Sequence, residues 1–452
     1  MNYRNIYFIG IGGIGMSAIA RYFKAKGYNV SGYDRTQSQI CKELEAEGIS
    51  IHYEDNIELI DPAFRDKETT LVVYTPAIPS EHTEFCYFKE QGFAIEKRAQ
   101  VLGEITRLER GLCVAGTHGK TTTSTMAAHL LKQSHVDCNA FLGGVSKNYT
   151  SNLLLSDKSD LVVIEADEFD RSFHHLSPYM AVVTAVDADH LDIYGTYEAY
   201  LQSFSHFTSL VQEGGCLIMK KGIALECDLR KGVKLYTYSA TEKADFYADN
   251  IVVGNGEIHF DFVTPTERVR DINLGVPVMV NVENGVAAMA LAWLNGVTAD
   301  ELRAGMASYS GIRRRFEIHL KTPQLTVIDD YAHHPAELEA SIKSVKALYA
   351  DKKVLGVFQP HLYTRTRDFY KDFAKALSLL DEAVLVEIYP ARELPIEGVS
   401  SQIIYDEVTC PKTLTTKKDL ISTLKQKHFD VLLTVGAGDI DTYIPQIIEA
   451  LK

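Results

Sequence analysis

The sequence predicts an α/β fold in three blocks, built on mainly parallel sheets. Two units of strand, glycine loop and helix, one at the N-terminus and one after Leu112, are the first indication. Unbroken apolar runs such as Leu161-Val-Val-Ile and Met180-Ala-Val-Val are the second. Strands covered by helices on both faces read as continuous hydrophobic stretches, not as alternating ones. Length is the third: 452 residues exceed what one core organises and suggest roughly two to four domains.

The first block reaches to about residue 104. Ile6-Tyr-Phe-Ile forms a short strand, and Gly10, Gly12, Gly13 and Gly15 follow it. A helix then runs to Lys26, with Gly27 closing it, and a second strand from Asn29 ends at Asp34. The spacing of Gly10, Gly12 and Gly15 fits a dinucleotide-binding fingerprint. Such glycines let backbone approach a pyrophosphate at a helix N-terminus, and an acid placed like Asp34 accepts a ribose hydroxyl. The motif does not say which nucleotide. A hydride-transfer cofactor such as NAD is one reading, and a packing turn without ligand is another. Leu71-Val-Val-Tyr-Thr-Pro and Ala94-Ile-Glu-Lys-Arg are the later strand signals.

The second block opens with the strand Leu112-Cys-Val-Ala and the loop Gly116-Thr-His-Gly-Lys-Thr-Thr, ahead of a helical pattern over Thr123 to Gln133. Val114 stands where a full Walker A pattern has its first glycine, so this is a shortened phosphate loop. Gly116, Thr117, Gly119 and Thr122 frame it. Lys120 is placed to reach the β- and γ-phosphates, and the Thr121 hydroxyl to hold Mg²⁺. Two apolar strands end in acid or histidine, one at Glu165 and one just before His190. Open α/β sheets bind ligands at such carboxyl ends. With Thr121, these two side chains form a candidate metal site beside a triphosphate; the histidine leaves room for Mn²⁺ as well as Mg²⁺. The bland alternatives are a solvated strand terminus for Glu165 and a capped core histidine for His190. Residues 233–274 read as shorter alternating strands forming an antiparallel edge, and Asn281 to Leu294 as a strong helix. Tyr197, Tyr200, Phe204 and Phe207 recur at helical spacing and read as core, Trp293 as packing, and His174-His175 as local hydrogen bonding.

The third block repeats the α/β rhythm with strands at Leu325–Ile328, Val354–Phe358, Ala383–Val386 and Val431–Val435. Its boundary near residue 310 carries the basic run Arg313-Arg-Arg315, which reads either as a solvated linker or as a phosphate contact.

Composition narrows the classes. A net charge of −14 argues against nucleic acid as a general partner. No apolar run approaches the ~18 residues needed to span a membrane. The chain enters a strand at once, so no signal peptide is expected. The seven cysteines form no C-x-x-C pair and are odd in number, which reads as reduced thiols of a cytoplasmic protein.

The motifs occur in a telling order: Gly10 to Gly15, Gly116 to Thr122, Glu165-Ala-Asp-Glu-Phe-Asp, Asp187-Ala-Asp-His-Leu-Asp, Arg314-Arg-Phe, Asp329-Asp-Tyr-Ala-His-His-Pro, Phe358-Gln-Pro-His-Leu-Tyr-Thr-Arg-Thr and Tyr389-Pro-Ala. The set resembles the Mur ligases of peptidoglycan synthesis over nearly the whole chain. The resemblance implies three α/β domains: a Rossmann-like one over 1–104 for a UDP-sugar, a central P-loop ATPase-type one over 105–309, and a C-terminal Rossmann-like one over 310–452 for the amino acid. It implies ATP and Mg²⁺, with UDP-N-acetylmuramate and L-alanine as substrates joined through an acyl phosphate. Gly10, Gly12, Gly13, Gly15 and Asp34 then serve the UDP-sugar instead of NAD. Lys120 binds the γ-phosphate, Thr121 and Glu165 a first metal, and His190 a second. Asn281 and Asn284 contact adenine, Arg315 the ATP phosphates, and Asp330 the ribose side. His361 and Arg365 lie in the segment that recognises the amino acid, where His361 either accepts a proton or only orients the carboxylate.

The chain departs from the family pattern in three places. Val278-Met-Val-Asn281 replaces a usual Gly-x-His-Asn, Leu362 replaces a common arginine, and Phe204 stands near where sister ligases carry a carbamylated lysine. Two rival readings remain: an NAD-linked dehydrogenase, which leaves the phosphate loop unexplained, and a ligase adding a whole tripeptide to the same sugar nucleotide.

Overall fold

A computed structural model describes residues 3–75, 78–188, 191–254, 256–391 and 393–452. It resolves into two compact units. One comprises Met1–Ala248, Phe262–Val269 and Asn284–Met306; the other comprises Asp249–Asp261, Arg270–Glu283 and Ala307–Lys452.

The first unit begins with a parallel sheet of β1 (Asn5–Ile9), β2 (Asn29–Tyr33), β3 (Ser50–His52), β4 (Thr70–Tyr74) and β5 (Ala94–Lys97), ordered β3-β2-β1-β4-β5. The strand order reverses between β1 and β4, which opens a crevice at their carboxyl ends. Gly10 leaves β1 there with φ +86, a left-handed conformation open to glycine, and a side chain on it would meet Thr75 after β4 at 2.6 Å.

A second sheet holds β6 (Arg110–Ala115), β7 (Asn139–Ser146), β8 (Ser151–Leu154), β9 (Leu161–Glu165), β10 (Met180–Val183), β11 (Cys216–Lys220) and β12 (Lys234–Ser239) in the order β12-β11-β10-β6-β9-β7-β8. The sheet continues past β12 through β13 (Phe246–Gly254), β14 (Glu257–Val263) and β15 (Arg268–Asn273). β12 pairs in parallel with both β11 and β13, so the antiparallel edge expected over 233–274 does not include its first strand. Alternating polarity there reflects one solvated face and does not fix strand direction. An antiparallel pair closes the opposite edge, β7 with β8. One hydrophobic cluster joins Ile6 and Phe8 of the first sheet to Ile164 and Leu217 of the second, with the rings of Tyr22 and Phe141 5.3 Å apart.

The second unit carries β16 (Glu317–Lys321), β17 (Thr326–Asp330), β18 (Val354–Phe358), β19 (Glu382–Leu385), β20 (Lys412–Leu414) and β21 (Val431–Val435), ordered β16-β17-β21-β18-β19-β20. Only the β16–β17 pair is antiparallel. Val327, Leu355, Val384 and Leu432 form its core with the helix Ile444–Leu451. Among the described residues no helix is long and apolar enough to cross a membrane.

Candidate active site

Strand order places the central chemistry. β6 lies between β9 and β10, with Val114 opposite Glu165 and Ala115 opposite Val183. The phosphate loop therefore leaves the sheet between Glu165 on one side and the segment leading to His190 on the other. His190 itself lies outside the described residues, as do Asp189 and Pro76.

The loop's shape follows from its glycines. Gly116 has φ +138, and a side chain there would stand 2.1 Å from Thr184 Oγ1. Gly119 has φ +83 and caps the helix Lys120–Gln133. Thr117 is pinned from the strand beside it: its N–H donates to Ala185 O at 3.0 Å and its hydroxyl to Asp187 O at 3.0 Å. Tyr200 Oη lies 3.0 Å from the same hydroxyl, so a residue read as core also braces the loop. Tyr200, Phe204 and Phe207 are indeed fully buried. The Thr184 hydroxyl bonds to Ala115 O and His118 O from below. Neither Thr184 nor the carbonyls of Ala185 and Asp187 carries a site signal in the sequence, and Tyr200 reads there only as core, because each acts through the fold and none belongs to a phosphate motif.

Lys120 is not extended into open space. Its Nζ donates to Gly116 O at 2.7 Å and to Glu168 Oε1 at 2.8 Å. Glu168 is buried, which raises its carboxyl above the ordinary range while the Lys120 charge pulls it down. Glu168 sits three positions after Glu165 in the same acidic motif, and spacing alone did not separate its task from its neighbours'.

Glu165 ends β9 half-buried. A side chain on Gly143 would lie 2.0 Å from its Oε2, so glycine there leaves room for the carboxylate. Both residues line a cleft of about 400 Å³ that also holds Gly13, Gly15, Thr75, Arg98, Asn152 and Asp167. The N-terminal glycine loop and the central acid thus open into one cavity. Asn152 fastens the two sheets there, donating to Ile14 O at 2.7 Å. A larger cavity of about 610 Å³ runs along Arg21, Lys24, Glu43 and Glu47 and contains no sequence-derived site residue.

In the N-terminal loop the Asp34 carboxylate is engaged by the protein. Oδ2 accepts from Gly12 N at 2.8 Å and Oδ1 from Thr36 N at 3.0 Å. Asp34 therefore shapes the glycine loop from beneath. Asn284, on the helix Met279–Leu294, is buried and accepts from Thr123 Oγ1 at 3.3 Å, and Asn281 donates to Val276 O at 3.2 Å.

In the second unit, carboxyl ends of parallel strands gather Asp330, His361, Tyr389 and Gly436. Within the basic run, Arg314 does the structural work. It donates to Gly438 O and Gly436 O at 2.8 and 2.6 Å, pairs with buried Asp329 at 3.4 Å, and stacks over Tyr331. Arg315 is left exposed between two left-handed residues, Arg314 with φ 62 and Phe316 with φ 47. Burial raises the Asp330 carboxyl, with the Arg315 charge acting against it. His361 stacks on Tyr389, 5.8 Å between ring centres, and its Nδ1 is 3.4 Å from Arg365. Burial, then Arg365 and His333, lowers its pKa and keeps the ring neutral. Leu362 follows in a left-handed conformation at φ 69, capping the helix Tyr363–Leu377.

A central parallel sheet carrying a Gly-Lys-Thr loop beside an acidic strand end defines a phosphate-loop α/β enzyme that uses a nucleoside triphosphate. Residues 5–110 match the Mur ligase family catalytic domain, 114–292 the Mur ligase middle domain, and 314–438 the Mur ligase glutamate ligase domain. The chain belongs to the Mur ligase family, whose members use ATP. It is 64% identical, over 99% of this chain and 97% of the relative, to the UDP-N-acetylmuramate–L-alanine ligase of Parabacteroides distasonis. It is 62% identical to the same-named enzyme of Phocaeicola vulgatus, over 99% and 98% of the two chains. The crystal structure of a UDP-N-acetylmuramate–alanine ligase from Thermotoga maritima superposes with a TM-score of 0.79 at 27% identity, covering 99% of both chains. A murein peptide ligase from Psychrobacter arcticus shares the fold with a TM-score of 0.63 at 22% identity, over 99% and 98%.

Proposed function

We propose that this protein is a cytoplasmic ATP-dependent, ADP-forming carbon–nitrogen ligase that joins L-alanine to the lactyl carboxylate of UDP-N-acetylmuramate in peptidoglycan precursor synthesis. The observation that carries the reading is the full-length likeness, 64% over 99% of the chain, to a relative named for that reaction. The cleft connecting Gly13 and Gly15 to Glu165 supports it, since a sugar nucleotide held at the first loop needs its carboxylate beside the phosphate loop. A dehydrogenase would leave that loop without a task. A UDP-N-acetylmuramate:L-alanyl-γ-D-glutamyl-meso-diaminopimelate ligase shares the fold at 23% identity, far below the 64% of the alanine ligase.

In this reaction the lactyl carboxylate attacks the γ-phosphorus, giving an acyl phosphate and ADP. The alanine amine then attacks the acyl carbon, and phosphate leaves. Such transfer requires positioning and charge neutralisation more than covalent help from the protein. Lys120 and Arg315 supply positive charge, and the loop N–H groups orient the phosphates. Thr121 and Glu165 offer the hard oxygen donors that suit Mg²⁺, and His190 is assigned to a second ion, Mg²⁺ or Mn²⁺. That metal would neutralise charge between the phosphates. Asn281, Asn284 and Asp330 are assigned to the nucleoside of ATP, and Gly10, Gly12, Gly13, Gly15 and Asp34 to the UDP-sugar. His361, held neutral, and Arg365 are assigned to alanine. The functional division is 1–104 for the sugar nucleotide, 105–309 for ATP and 310–452 for the amino acid. A phosphate-release assay with ATP, Mg²⁺ and UDP-N-acetylmuramate, comparing alanine, serine, glycine and the tripeptide, tests the reading. Turnover with tripeptide but not alanine, or no turnover at all, would refute it.

A further inference from the structure

Three acidic side chains, Glu165, Asp167 and Glu168, stand at the end of β9 and just beyond it, and the reaction scheme above uses only Glu165. Glu168 is the most deeply placed of the three, with 1% side-chain exposure. Each of its carboxylate oxygens lies 2.8 Å from Lys120 Nζ. Oε1 takes the hydrogen bond, and Oε2 accepts none among the described residues. The backbone carbonyl of Glu168 accepts from Tyr194 Oη. Tyr194 packs edge-on against Tyr200, which touches the Thr117 hydroxyl. Glu168 is therefore tied to the phosphate loop through its side chain and through its backbone.

Such a pair can act as a switch, breaking when the triphosphate arrives, or as an anchor that persists. The hydrogen-bond count decides between them. An ammonium has three protons, and Gly116 O and Glu168 take two of them. Moving Lys120 away would leave a buried carboxylate without its ion-pair partner, and stranding a buried charge is strongly unfavourable. The third proton stays available without any rearrangement.

We propose that Glu168 is a positioning residue that holds Lys120 folded across the phosphate loop throughout nucleotide binding and turnover, so that one N–H points to the phosphate. This rests on the reading of Lys120 as the lysine that serves ATP. Glu168 touches no reacting atom; it acts by removing the freedom of a four-carbon side chain, which is where pre-organisation gains most.

The test uses full-length protein and three variants, Glu168→Ala, Glu168→Gln and Glu168→Asp, with thermal melts run alongside. Steady-state kinetics with ATP, UDP-N-acetylmuramate and L-alanine give kcat and each KM, and calorimetry gives ATP affinity without turnover. Glu168→Ala is expected to lower kcat roughly 10–100-fold and to weaken ATP binding about tenfold, with the KM for alanine within about twofold. Glu168→Gln keeps an acceptor oxygen at the same reach and is expected to retain at least about a third of the rate. Glu168→Asp keeps the charge but withdraws it by one methylene, and is expected to be slower than Glu168→Gln. A Glu168→Ala enzyme within threefold of wild type, or Glu168→Gln ranking below Glu168→Asp, would overturn the proposal. If Glu168→Ala fails to fold, the order of the other two variants decides. A wild-type protein that releases no phosphate refutes the ligase reading alone, because the ATP affinities still test the role of Glu168.

Discussion

Asn284 leans on Gly119: its Oδ1 stands 2.7 Å from the point where a side chain on that glycine would begin. The asparagine and the last turn of the phosphate loop are 165 positions apart and form one packed surface, reinforced by the Thr123 hydroxyl bond. Gly119→Ala is therefore expected to fail twice. It forces an alanine to φ +83 and drives its methyl into Asn284. The backbone strain alone costs about 1–2 kcal/mol. ATP affinity should fall at least about tenfold while UDP-sugar binding persists, and calorimetry on both ligands checks it. Unchanged ATP affinity would mean that Asn284 yields freely.

Gly12→Val should damage the N-terminal loop from beneath as well as from the ligand side. A side chain there meets Cys41 Sγ at 2.5 Å and Asp34 Oδ2 at 2.9 Å, so it also disrupts the bond from Gly12 N to Asp34. UDP-N-acetylmuramate affinity should drop by about tenfold or more, with ATP affinity within about twofold. Lost ATP binding with retained UDP-sugar binding would reverse the two loop assignments.

Glu165→Ala and His190→Ala should both raise the Mg²⁺ concentration needed for half-maximal rate and lower the rate at saturation. Glu165 lies at a strand end facing a cleft, so its truncation opens no core cavity and the melting temperature should hold. A metal titration of activity separates the roles. A variant with unaltered metal dependence marks its residue as structural.

Arg365→Ala should raise the KM for alanine far more than that for ATP. Arginine meets a carboxylate through two parallel bonds that water does not restore. Leu362 stands where the resemblance to the family leads one to expect an arginine and leaves Arg365 with less help, so Leu362→Arg should rescue part of the defect. Kinetics on both single variants and the double variant decide; an alanine KM unmoved by Arg365→Ala places the amino-acid site elsewhere.

Acid should weaken the central unit through His129. Burial lowers its pKa to about 4. From about pH 6.5 down to 4 the unfolded chain binds a proton that the folded chain resists, so stability is complete above 6.5 and falls on acidification. The loss amounts to at most about 2–3 kcal/mol by pH 4. His129→Gln should flatten that part of the stability–pH curve; denaturation at pH 7, 5.5 and 4 measures the difference, and parallel curves would count against it.

What the chain announces by itself is local. Gly10, Gly116 and Gly119 take a positive φ that glycine adopts easily, Gly12 and Gly15 leave no room for a side chain, and unbroken apolar runs prescribe buried strands, so both loops and the strand ending at Glu165 could be read directly. The motif order also identified the family. The tertiary structure alone decided which side chains meet. Lys120 pairs with Glu168 across 48 positions, Tyr200 braces Thr117 across 83, and Arg314, not Arg315, enters the folded C-terminal sheet. Those meetings depend on β6 lying between β9 and β10, and on β21 lying between β17 and β18. Strand order of that kind is set by how helices cover the two faces of a sheet, a global packing choice that no short window of residues encodes.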